Sequence, residues 1–585
     1  MLQQCSLLKL LPRLFTGWCT AAFIETLYNP VHFSRIEFAN SVSMLRFVLI
    51  IIFITATLTV ITYLRRSETV QTWVMVGSVL LYLFSLGLRY SAFWTSVVYA
   101  IVMIFVAVYT LPHDRLKLSA FAPSKRTVIT VIAVATAIFT AYTGGVTVCR
   151  YLGYSSSTFD LGIFSQMFHY MKTTGLPFTT CERGELLSHF AVHISPIWYV
   201  LLPGYMLFSS PVYLQIMQAI ILASAVIPLY LLLTHHQLSQ KTVLAVCLIF
   251  LSFPALTGGC FYDIHENCFL TPILLWLFYT YDKQKWVPFS IMAVLLLSVK
   301  EDAAIYLAAF GVYLLCNRRD YRRGGILLAV SVIYFLIAAY MLFRFGDGEM
   351  TAVRYDNFLA DGQDGMVDVI KNAFVNPAYL FSQILTAKRV QYLILMLLPL
   401  LGLPLMSKDL SGLTLLLPIL AINLMSGWEY QYSIHFQYSF GSIACLFYLT
   451  ICNLKTLKDS VKSFILPTAV CVSILLATAN LSMYRDNFSG CIEYRQVNAN
   501  ITAVLNDIPA DAGVRADGFL LPHLANRDIL YDFTTNVKTE YIVLDLRPGR
   551  EKNEQHLAAL QADTDTYEQI HYTEDEIAVF RDKTY

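Results

Sequence analysis

The chain has 585 residues, of which 57% are hydrophobic and 14% are charged, and its formal net charge is +1. Soluble globular proteins carry about 25% charged residues, so the composition predicts a membrane protein and excludes an ordinary soluble domain. A net charge near zero gives no reason to expect a nucleic-acid partner. The 12 cysteines are too sparse in so long a chain to form a disulfide framework.

The N-terminal run from Leu7 to Tyr28 is apolar but is interrupted by Lys9, Pro12 and Arg13. It lacks the small-residue cleavage site of a secretory signal. Residues 1–43 are therefore predicted either to lie at the membrane interface or to contribute one extra short span, and the sequence leaves both alternatives open.

Apolar runs long enough to cross a bilayer, which takes about 20 residues in a helix, recur along most of the chain. The longer runs are 44–63, 73–88, 92–111, 128–148, 211–234, 243–259, 325–343 and 464–483. The shorter runs are 267–281, 286–299, 302–316, 391–406, 411–425 and 438–452. Together they predict a mainly α, polytopic membrane protein of about 13–15 spans.

Basic residues cluster on one side of these predicted spans. The clusters are Arg65/Arg66, Arg115/Lys117/Lys125/Arg126, Lys283/Lys285, Arg318/Arg319/Arg322/Arg323 and Lys455/Lys458/Lys462. Because Lys and Arg are enriched in cytoplasmic loops, this side is predicted to be cytoplasmic. The segments predicted to lie outside are 149–210, 258–266, 344–390, 426–437 and the tail from 484.

The tail, residues 484–585, is more polar than the rest. It has helical periodicity over 494–508 and near 551–562, and strand patterns at 513–516, 529–533, 541–546 and 576–581. This predicts a small extracytoplasmic α/β domain. The predicted organisation is an N-terminal segment 1–43, a three-span extension 44–127, a membrane core 128–483 with the large outer loop 149–210, and the domain 484–585.

Asp160 is the first candidate for chemistry, in the outer segment that follows the span 128–148. It precedes an apolar helical pattern over 161–171, so one interpretation is an N-cap aspartate that binds the free amides of the first turn. The other is a general base at the edge of the membrane, which accepts a proton from an incoming hydroxyl.

His189 and His193 lie four residues apart, and on a helix they would share one face. Asp263, His265 and Glu266 lie in a short outer loop and would supply further ligands, so a divalent metal ion is one interpretation. The alternatives are a pair of interfacial histidines and a loop that is simply solvated.

Lys300, Glu301 and Asp302 lie between two short apolar runs. One interpretation is that Lys300 binds a phosphate while an adjacent acid shapes a polar cavity; the other is an interfacial lysine paired with its neighbour. In the loop 344–390, Arg389 is a better phosphate candidate than Arg354 because it begins a span.

The segment 428–437 is rich in aromatic residues and contains His435, a further candidate for substrate binding. An aromatic belt at the interface and a surface that stacks against sugar rings are both consistent with this composition. The sequence has no Walker loop, dinucleotide-binding glycine pattern, nucleophile elbow or HExxH motif, which argues against soluble-nucleotide chemistry and zinc proteases.

Several motifs resemble those of a prokaryotic family of membrane proteins, domain of unknown function 2079. They are Thr158–Gly162, His193–Pro196, Asp263–Glu266, Lys300–Ala303, Leu521–Arg527 and Tyr541–Asp545. The resemblance runs from about Val128 to the C-terminus. More distantly, the layout resembles the GT-C superfamily of membrane glycosyltransferases, which carry an acidic residue in the first large outer loop, the position that Asp160 holds here.

The resemblance implies a hexosyl- or pentosyltransferase of the bacterial plasma membrane. Its donor would be a polyprenyl-phosphate sugar, its acceptor an envelope glycan, lipid or protein, and Asp160 the base for an inverting transfer. Asp160 has no adjacent acid, unlike the paired acids of some GT-C branches, so the base and the metal stay open. The alternatives are a transporter or flippase of a lipid-linked or polar solute, and a non-catalytic membrane protein that displays the C-terminal domain.

Overall fold

The computed structural model describes residues 7–65, 67–90, 92–346, 354–363 and 365–585. Arg66 of the first basic cluster and part of the outer loop 344–390, residues 347–353 and 364, lie outside the described residues. Helices dominate the chain up to residue 506, and a five-stranded sheet follows.

Eight helices of the described chain are long and apolar enough to cross a membrane, judged by length and composition. They are Met44–Arg65, Thr69–Arg89, Phe93–Thr110, Lys125–Leu152, Pro211–His235, Gln240–Cys260, Tyr321–Phe345 and Asp459–Thr478. Each overlaps one of the longer predicted runs, so those predictions are confirmed. The protein is a multi-pass membrane protein.

In chain order, the helices before the first large loop are α1 (Leu7–Tyr28), α2 (Met44–Arg65), α3 (Thr69–Arg89), α4 (Phe93–Thr110) and α5 (Lys125–Leu152). The loop contains α6 (Ile163–Thr174) and the short antiparallel strands β1 (Phe178–Thr179) and β2 (Leu187–Ser188). The loop ends with a 3-10 helix, Pro196–Val200, and a short α-helix, Leu202–Leu207.

The remaining helices of the membrane core follow this loop. They are α7 (Pro211–Ser224), α8 (Val226–His235), α9 (Gln240–Leu251), α10 (Pro254–Cys260), α11 (Leu270–Asp282), α12 (Trp286–Leu297), α13 (Ala303–Tyr313), α14 (Tyr321–Phe345), α15 (Met366–Val375), α16 (Pro377–Ile384), α17 (Ala387–Leu397), α18 (Phe440–Leu454) and α19 (Asp459–Glu493).

Two of the shorter predicted spans differ from the structure. The run 411–425 is not an α-helix but a 3-10 helix, Leu410–Leu416, followed by a π-helical turn, Ile419–Leu424. Pro418 lies between them and has no amide hydrogen to continue a helix. The run 391–406 is α-helical only to Leu397, because prolines and a left-handed Gly402 (φ 72°) turn the chain after it.

Helix α1 packs antiparallel to α2 along most of its length. Near one end, the Arg46 guanidinium forms an ion pair of 2.6 Å with Glu25. Further along, a Cβ on Gly17 would lie 3.0 Å from the Cα of Ile51, so the two backbones are in close contact. Arg13 lies at the other end, where it donates a hydrogen bond of 3.0 Å to Thr59. This packing leaves both alternatives open, and α1 is not among the eight helices named above as long and apolar enough to cross a membrane.

The C-terminal domain begins with α20 (Arg495–Asn506) and contains α21 (Glu551–Ala562). Its strands are β3 (Val514–Ala516), β4 (Leu530–Asp532), β5 (Tyr541–Asp545), β6 (Tyr567–Thr573) and β7 (Ile577–Asp582). The sheet order is β4-β3-β5-β7-β6, in which β3 pairs in parallel with β4 and β5, and β7 pairs antiparallel with β5 and β6. The predicted α/β domain is confirmed, whereas β6 was missed because this edge strand is mostly polar and exposed.

Candidate active site

A cavity of about 550 Å³ lies where the Asp160 loop, the β1–β2 hairpin and the segment 428–438 meet. Its polar lining includes Asp160, His189, His193, His265, Arg354 and Gln437. Its aromatic lining includes Phe159, Phe164, Tyr262, Trp428, Tyr430, Phe436 and Tyr438. The structure therefore brings four of the predicted site residues, Asp160 and three histidines, to the wall of one cavity.

Asp160 lies in the turn between α5 and α6 with an unusual backbone conformation, φ 66° and ψ −81°. A positive φ is uncommon for a residue with a side chain and marks a position held by its surroundings. Helix α6 has no side-chain cap, and its N-cap residue is Gly162, so the N-cap interpretation of Asp160 is wrong. The side chain instead faces the cavity and accepts a hydrogen bond from the hydroxyl of Tyr262.

The electrostatic environment of Asp160 disfavours its charged form. Burial, followed by the nearby negative charges of Asp263 and Glu266, raises the pKa of Asp160 from 3.8 to about 7, against the opposing effects of Lys300 and the Tyr262 hydrogen bond. A carboxyl group with such a pKa exchanges a proton near neutral pH, as a general base requires.

The C-terminal domain holds the Asp160 loop from the other side. Thr158, two residues before Asp160, donates a hydrogen bond of 2.9 Å to Asp532 at the end of β4. Arg547 donates hydrogen bonds of 3.0 Å and 2.9 Å to the carbonyl oxygens of Gly153 and Tyr154. The loop is therefore fixed between the membrane core and this domain.

The two predicted histidines lie near each other, although not on an α-helix. His189 lies in a 3-10 turn, His189–Ala191, and its ring centroid is 6.0 Å from that of His193. His189 Nδ1 lies 3.0 Å from a carboxylate oxygen of Glu182, and His193 Nδ1 lies 2.9 Å from Glu301. The buried Nε2 of His189 has no hydrogen-bond partner within the described chain. The amide of His193 donates a hydrogen bond of 2.9 Å to the carbonyl oxygen of His189, so the two residues are one helical turn apart with neighbouring rings, although on a 3-10 turn and not on an α-helix.

The proposed metal ligands do not form a metal site. Asp263 accepts hydrogen bonds from Ser156 (2.7 Å) and Gln215 (2.6 Å) and lies 3.4 Å from the guanidinium of Arg150. Its oxygens are thus already occupied by donors of the protein. No group of three or more acidic, histidine or cysteine side chains in the described ranges has the arrangement to hold a metal ion. This geometry does not fit the metal interpretation of Asp263, His265 and Glu266.

Lys300 lies behind the cavity wall rather than on it. Its side chain is 1% exposed, and its ammonium lies 3.1 Å from Glu266 Oε1, while the other oxygen of Glu266 lies 3.1 Å from His265 Nδ1. Glu301 accepts a hydrogen bond of 3.1 Å from the backbone of Ile194 in addition to its contact with His193. Lys300, Glu301 and also Asp302 are absent from the lining, so they surround the cavity without facing it. The prediction that Lys300 contacts a phosphate directly does not agree with this placement.

The positions of the two loop arginines differ from what the sequence predicted. Arg389 is buried away from the cavity, where it donates hydrogen bonds to Thr386 and the carbonyl oxygen of Ser426 and lies over the ring of Tyr432. Arg354 lines the cavity instead. The direct phosphate contact predicted for Arg389 therefore does not agree with its position.

Arg354 is 8% exposed and lies between two aromatic rings, with its Cζ 5.4 Å from the centroid of Trp428 and 5.6 Å from that of Tyr438. Its Nε has no hydrogen-bond partner, and its guanidinium forms no ion pair with any residue that the structure describes. Buried charges in proteins are normally paired, which makes Arg354 a candidate ligand for an anion.

The aromatic segment forms one wall of the cavity. Trp428, Tyr430 and Phe436 line the cavity, and the rings of Tyr430 and Phe436 are 4.5 Å apart. His435 belongs to the same segment but is not part of the lining, so its predicted contact with a substrate stays a prediction. The buried Trp428 Nε1 and Gln437 Oε1 lack partners in the described chain and add a donor and an acceptor to this wall.

Sequence reasoning did not single out Glu182, Arg183, Tyr262 or Gln437, and it ranked Arg354 below Arg389. Tyr262 immediately precedes the Asp263–Glu266 motif, and Gln437 ends the aromatic segment, so both adjoin patterns that had been identified. For Arg354 the sequence contains no such signal, because its importance depends on burial without a partner.

Comparison with solved structures finds only distant similarity. Two solved structures, the crystal structures of ArnT from Cupriavidus metallidurans in the apo state and bound to undecaprenyl phosphate, are similar to it with TM-scores of 0.44 and 0.46. Each is 12% identical to this chain over 78% of it and 98% of the other chain. A similarity this distant does not by itself assign an activity.

No curated protein matches the chain. A family model described as a predicted membrane protein (DUF2079) matches residues 150–578, which is most of the sequence and includes the whole cavity wall from Ser157 to Tyr438. The chain therefore belongs to the DUF2079 family of predicted membrane proteins.

Proposed function

We propose that the protein is a membrane glycosyltransferase that moves a sugar from a polyprenyl-phosphate donor to an acceptor hydroxyl, with inversion, at the outer face of the membrane. The observation that carries this proposal is the joint placement of Asp160 and Arg354 on one cavity. One is a carboxyl group whose pKa is about 7, and the other is a buried cation without an ion-pair partner in the described chain.

Asp160 acts as the general base. Its carboxylate takes the proton of the acceptor hydroxyl while the acceptor oxygen attacks the anomeric carbon of the donor sugar. The bond between that carbon and the phosphate oxygen breaks, and polyprenyl phosphate leaves from the opposite face, which inverts the configuration. A base with a pKa near the working pH is suited to this step.

Arg354 binds the phosphate of the donor and stabilises the charge that develops on it. A guanidinium offers several donors to phosphate oxygens, and its effect is greatest where water is excluded. The packing of Arg354 between Trp428 and Tyr438 fixes its orientation before the donor arrives. Glu266 already neutralises Lys300, which therefore acts only through the field that it creates at Asp160.

The size and composition of the cavity fit a sugar phosphate. A volume of about 550 Å³ lies in the usual range for small-molecule sites, and aromatic faces with a few fixed polar groups are typical of them. Tyr430 and Phe436 offer stacking surfaces for a sugar ring, while Gln437 Oε1 and Trp428 Nε1 offer hydrogen bonds to its hydroxyls.

A lipid-linked donor follows from the outer-face position proposed for the site. A cavity at the outer face has no access to cytosolic nucleotide sugars, and the sequence contains no nucleotide-binding loop. A polyprenyl chain would lie along the membrane spans with its phosphate at Arg354.

The proposal is tested by identifying the lipids that co-purify with the full chain and with Asp160→Asn. We expect polyprenyl-phosphate monosaccharide to be enriched by both proteins, and more so by the variant, which binds the donor but does not turn it over. In a transfer assay with that donor, Asp160→Asn should lose about 10²–10⁴-fold in kcat. Asp486→Asn, at an acid whose side chain is 75% exposed and is not part of the cavity lining, is the matched control.

Full transfer by Asp160→Asn would overturn the assignment of the base. Enrichment of pyrophosphate-linked oligosaccharide would indicate a flippase or polymer ligase, and bulk phospholipid alone in both preparations would remove the support for lipid-linked sugar chemistry.

A further inference from the structure

Helices α5 and α19 pack side by side near the cavity end of the membrane core. Gly145 of α5 faces Phe488 of α19 so closely that a Cβ on the glycine would lie 3.3 Å from the Phe488 ring. The ring of Tyr142, nearly one turn earlier on α5, has its centroid 5.8 Å from that of Phe488. Both helices run toward the Asp160 loop and the C-terminal domain, so they are parallel here.

One turn further along each helix, a cysteine occupies the same face. Cys149 follows Gly145 by four residues, and Cys491 follows Phe488 by three, the spacings that keep side chains on one helix face. The two thiols are close enough to interact electrostatically, and both residues are partly buried. Their meeting is therefore the direct continuation of the packing between Gly145 and Phe488.

The two cysteines lie near helix ends that face the same compartment. Cys149 lies three residues before the end of α5, which leads into the Asp160 loop, and Cys491 lies two residues before the end of α19, which leads into the C-terminal domain. Both ends belong to the side proposed above to be outside the membrane. Disulfides form and persist in that kind of compartment.

We propose that Cys149 and Cys491 form a disulfide bond that ties α5 to α19 at the outer ends of both helices. Each thiol loses a proton and an electron as the sulfur–sulfur bond forms. The two electrons and two protons pass to a thiol oxidant, the disulfide of an oxidising protein, which is reduced to its dithiol. No change in the packing of the two helices is required, because the sulfurs are already neighbours.

The bond would fix the C-terminal domain against the loop that carries Asp160. Arg547 already links that domain to the carbonyl oxygens of Gly153 and Tyr154 at the start of the loop. The disulfide adds a covalent link at the root of both segments, and it closes a long loop of chain, for which the entropic stabilisation is large.

The test is peptide mass spectrometry on the full chain, expressed in a bacterium and solubilised in excess N-ethylmaleimide to block free thiols. Trypsin cleaves after Arg126, Arg150, Arg485 and Arg495, which releases each cysteine in its own peptide, 127–150 and 486–495. We expect these two peptides as one disulfide-linked species that disappears on reduction. Reduction should also lower the Tm of the wild type but not that of Cys491→Ser.

Cys316 is the internal control, because it is exposed and lies among the basic residues of the predicted cytoplasmic side. Its peptide should carry maleimide before reduction. Recovery of Cys149 and Cys491 with maleimide attached in the unreduced wild type would overturn the proposal. Protease accessibility of the C-terminal domain in intact cells would then show whether the proposed sidedness or the pairing itself is wrong, and neither result bears on the transfer assay.

Discussion

Asp160 and Asp263 are two carboxylates of the same region with opposite environments. Asp263 is 1% exposed and is held by Ser156, Gln215 and Arg150. Asp160 has a left-handed backbone, faces the cavity and accepts a hydrogen bond from Tyr262. The oxygens of Asp263 are already bound by donors of the protein, as in a structural carboxylate, whereas the carboxyl group of Asp160 is available to a ligand. The comparison teaches that burial alone does not identify a functional acid; what matters is whether the protein has already used its oxygens.

The two carboxylates are also connected. After burial itself, Asp263 is the largest influence that raises the pKa of Asp160, followed by Glu266. Asp263 and Glu266 thus supply the negative potential that raises the pKa of Asp160. The pairs behind the cavity have two roles: they hold the fold together, and they keep Asp160 near its transition between neutral and charged.

The largest expected effect is the loss of stability on breaking the ion pair between Lys300 and Glu266, behind the cavity wall. Glu266→Gln leaves Lys300 buried at 1% exposure without its carboxylate, and breaking such a pair costs about 3–5 kcal/mol. Thermal unfolding in detergent should therefore show a large fall in Tm. Glu429→Gln is the control, since it removes the partner of Lys388 in a pair whose side chains are both 64% exposed, and surface pairs contribute little. Equal Tm values for the two variants would mean that the Lys300–Glu266 pair is not structural.

A second prediction separates the two loop arginines. Arg354→Gln should weaken the binding of polyprenyl phosphate by roughly 10- to 100-fold, because a hydrogen bond to a charged group contributes about 1.5–3 kcal/mol. Arg389→Gln should lower Tm instead and leave the affinity of the folded protein unchanged, since Arg389 binds Thr386 and Ser426 rather than the cavity. Titration of both variants with the lipid checks this. The reverse pattern would restore Arg389 as the phosphate ligand.

A third prediction concerns the pH dependence of transfer. Only the ionised form of Asp160 accepts a proton, so kcat/KM should fall about tenfold per pH unit below about 7. Tyr262→Phe removes a hydrogen bond that lowers the pKa of Asp160, so the midpoint should move to higher pH in this variant. His189→Gln is the control, because His189 also lines the cavity and titrates; an acid limb that vanishes in this variant would assign the limb to the histidine.

Much of the fold could be predicted from apolar runs, because the bilayer requires long apolar helices and the chain has few other uses for them. The site was predicted less completely. Asp160 was found as a loop acid, but its left-handed backbone depends on contacts such as that between Thr158 and Asp532, which lie far apart in the sequence. Arg354 and Arg389 look alike in the sequence, and only the packing around each one shows which has a partner.

The last expected effect follows from the same pKa and concerns how stability changes with pH. The folded protein holds the proton of Asp160 up to about pH 7, whereas an ordinary aspartate releases it near 3.8. The folded state therefore binds more protons between these values, and this contribution to stability is lost as the pH rises through that window. The Asp160→Asn variant has no proton to release at this position, so it does not lose this stability as the pH rises. Asp160→Asn should accordingly gain a few degrees of Tm over the wild type as the pH rises from about 4 to about 7, with a constant advantage above that range. Asp263→Asn, which weakens a satisfied group, should lower Tm at every pH. If Asp160→Asn also lowered Tm at about pH 8, Asp160 would be a second structural carboxylate, and the contrast between the two acids would fail.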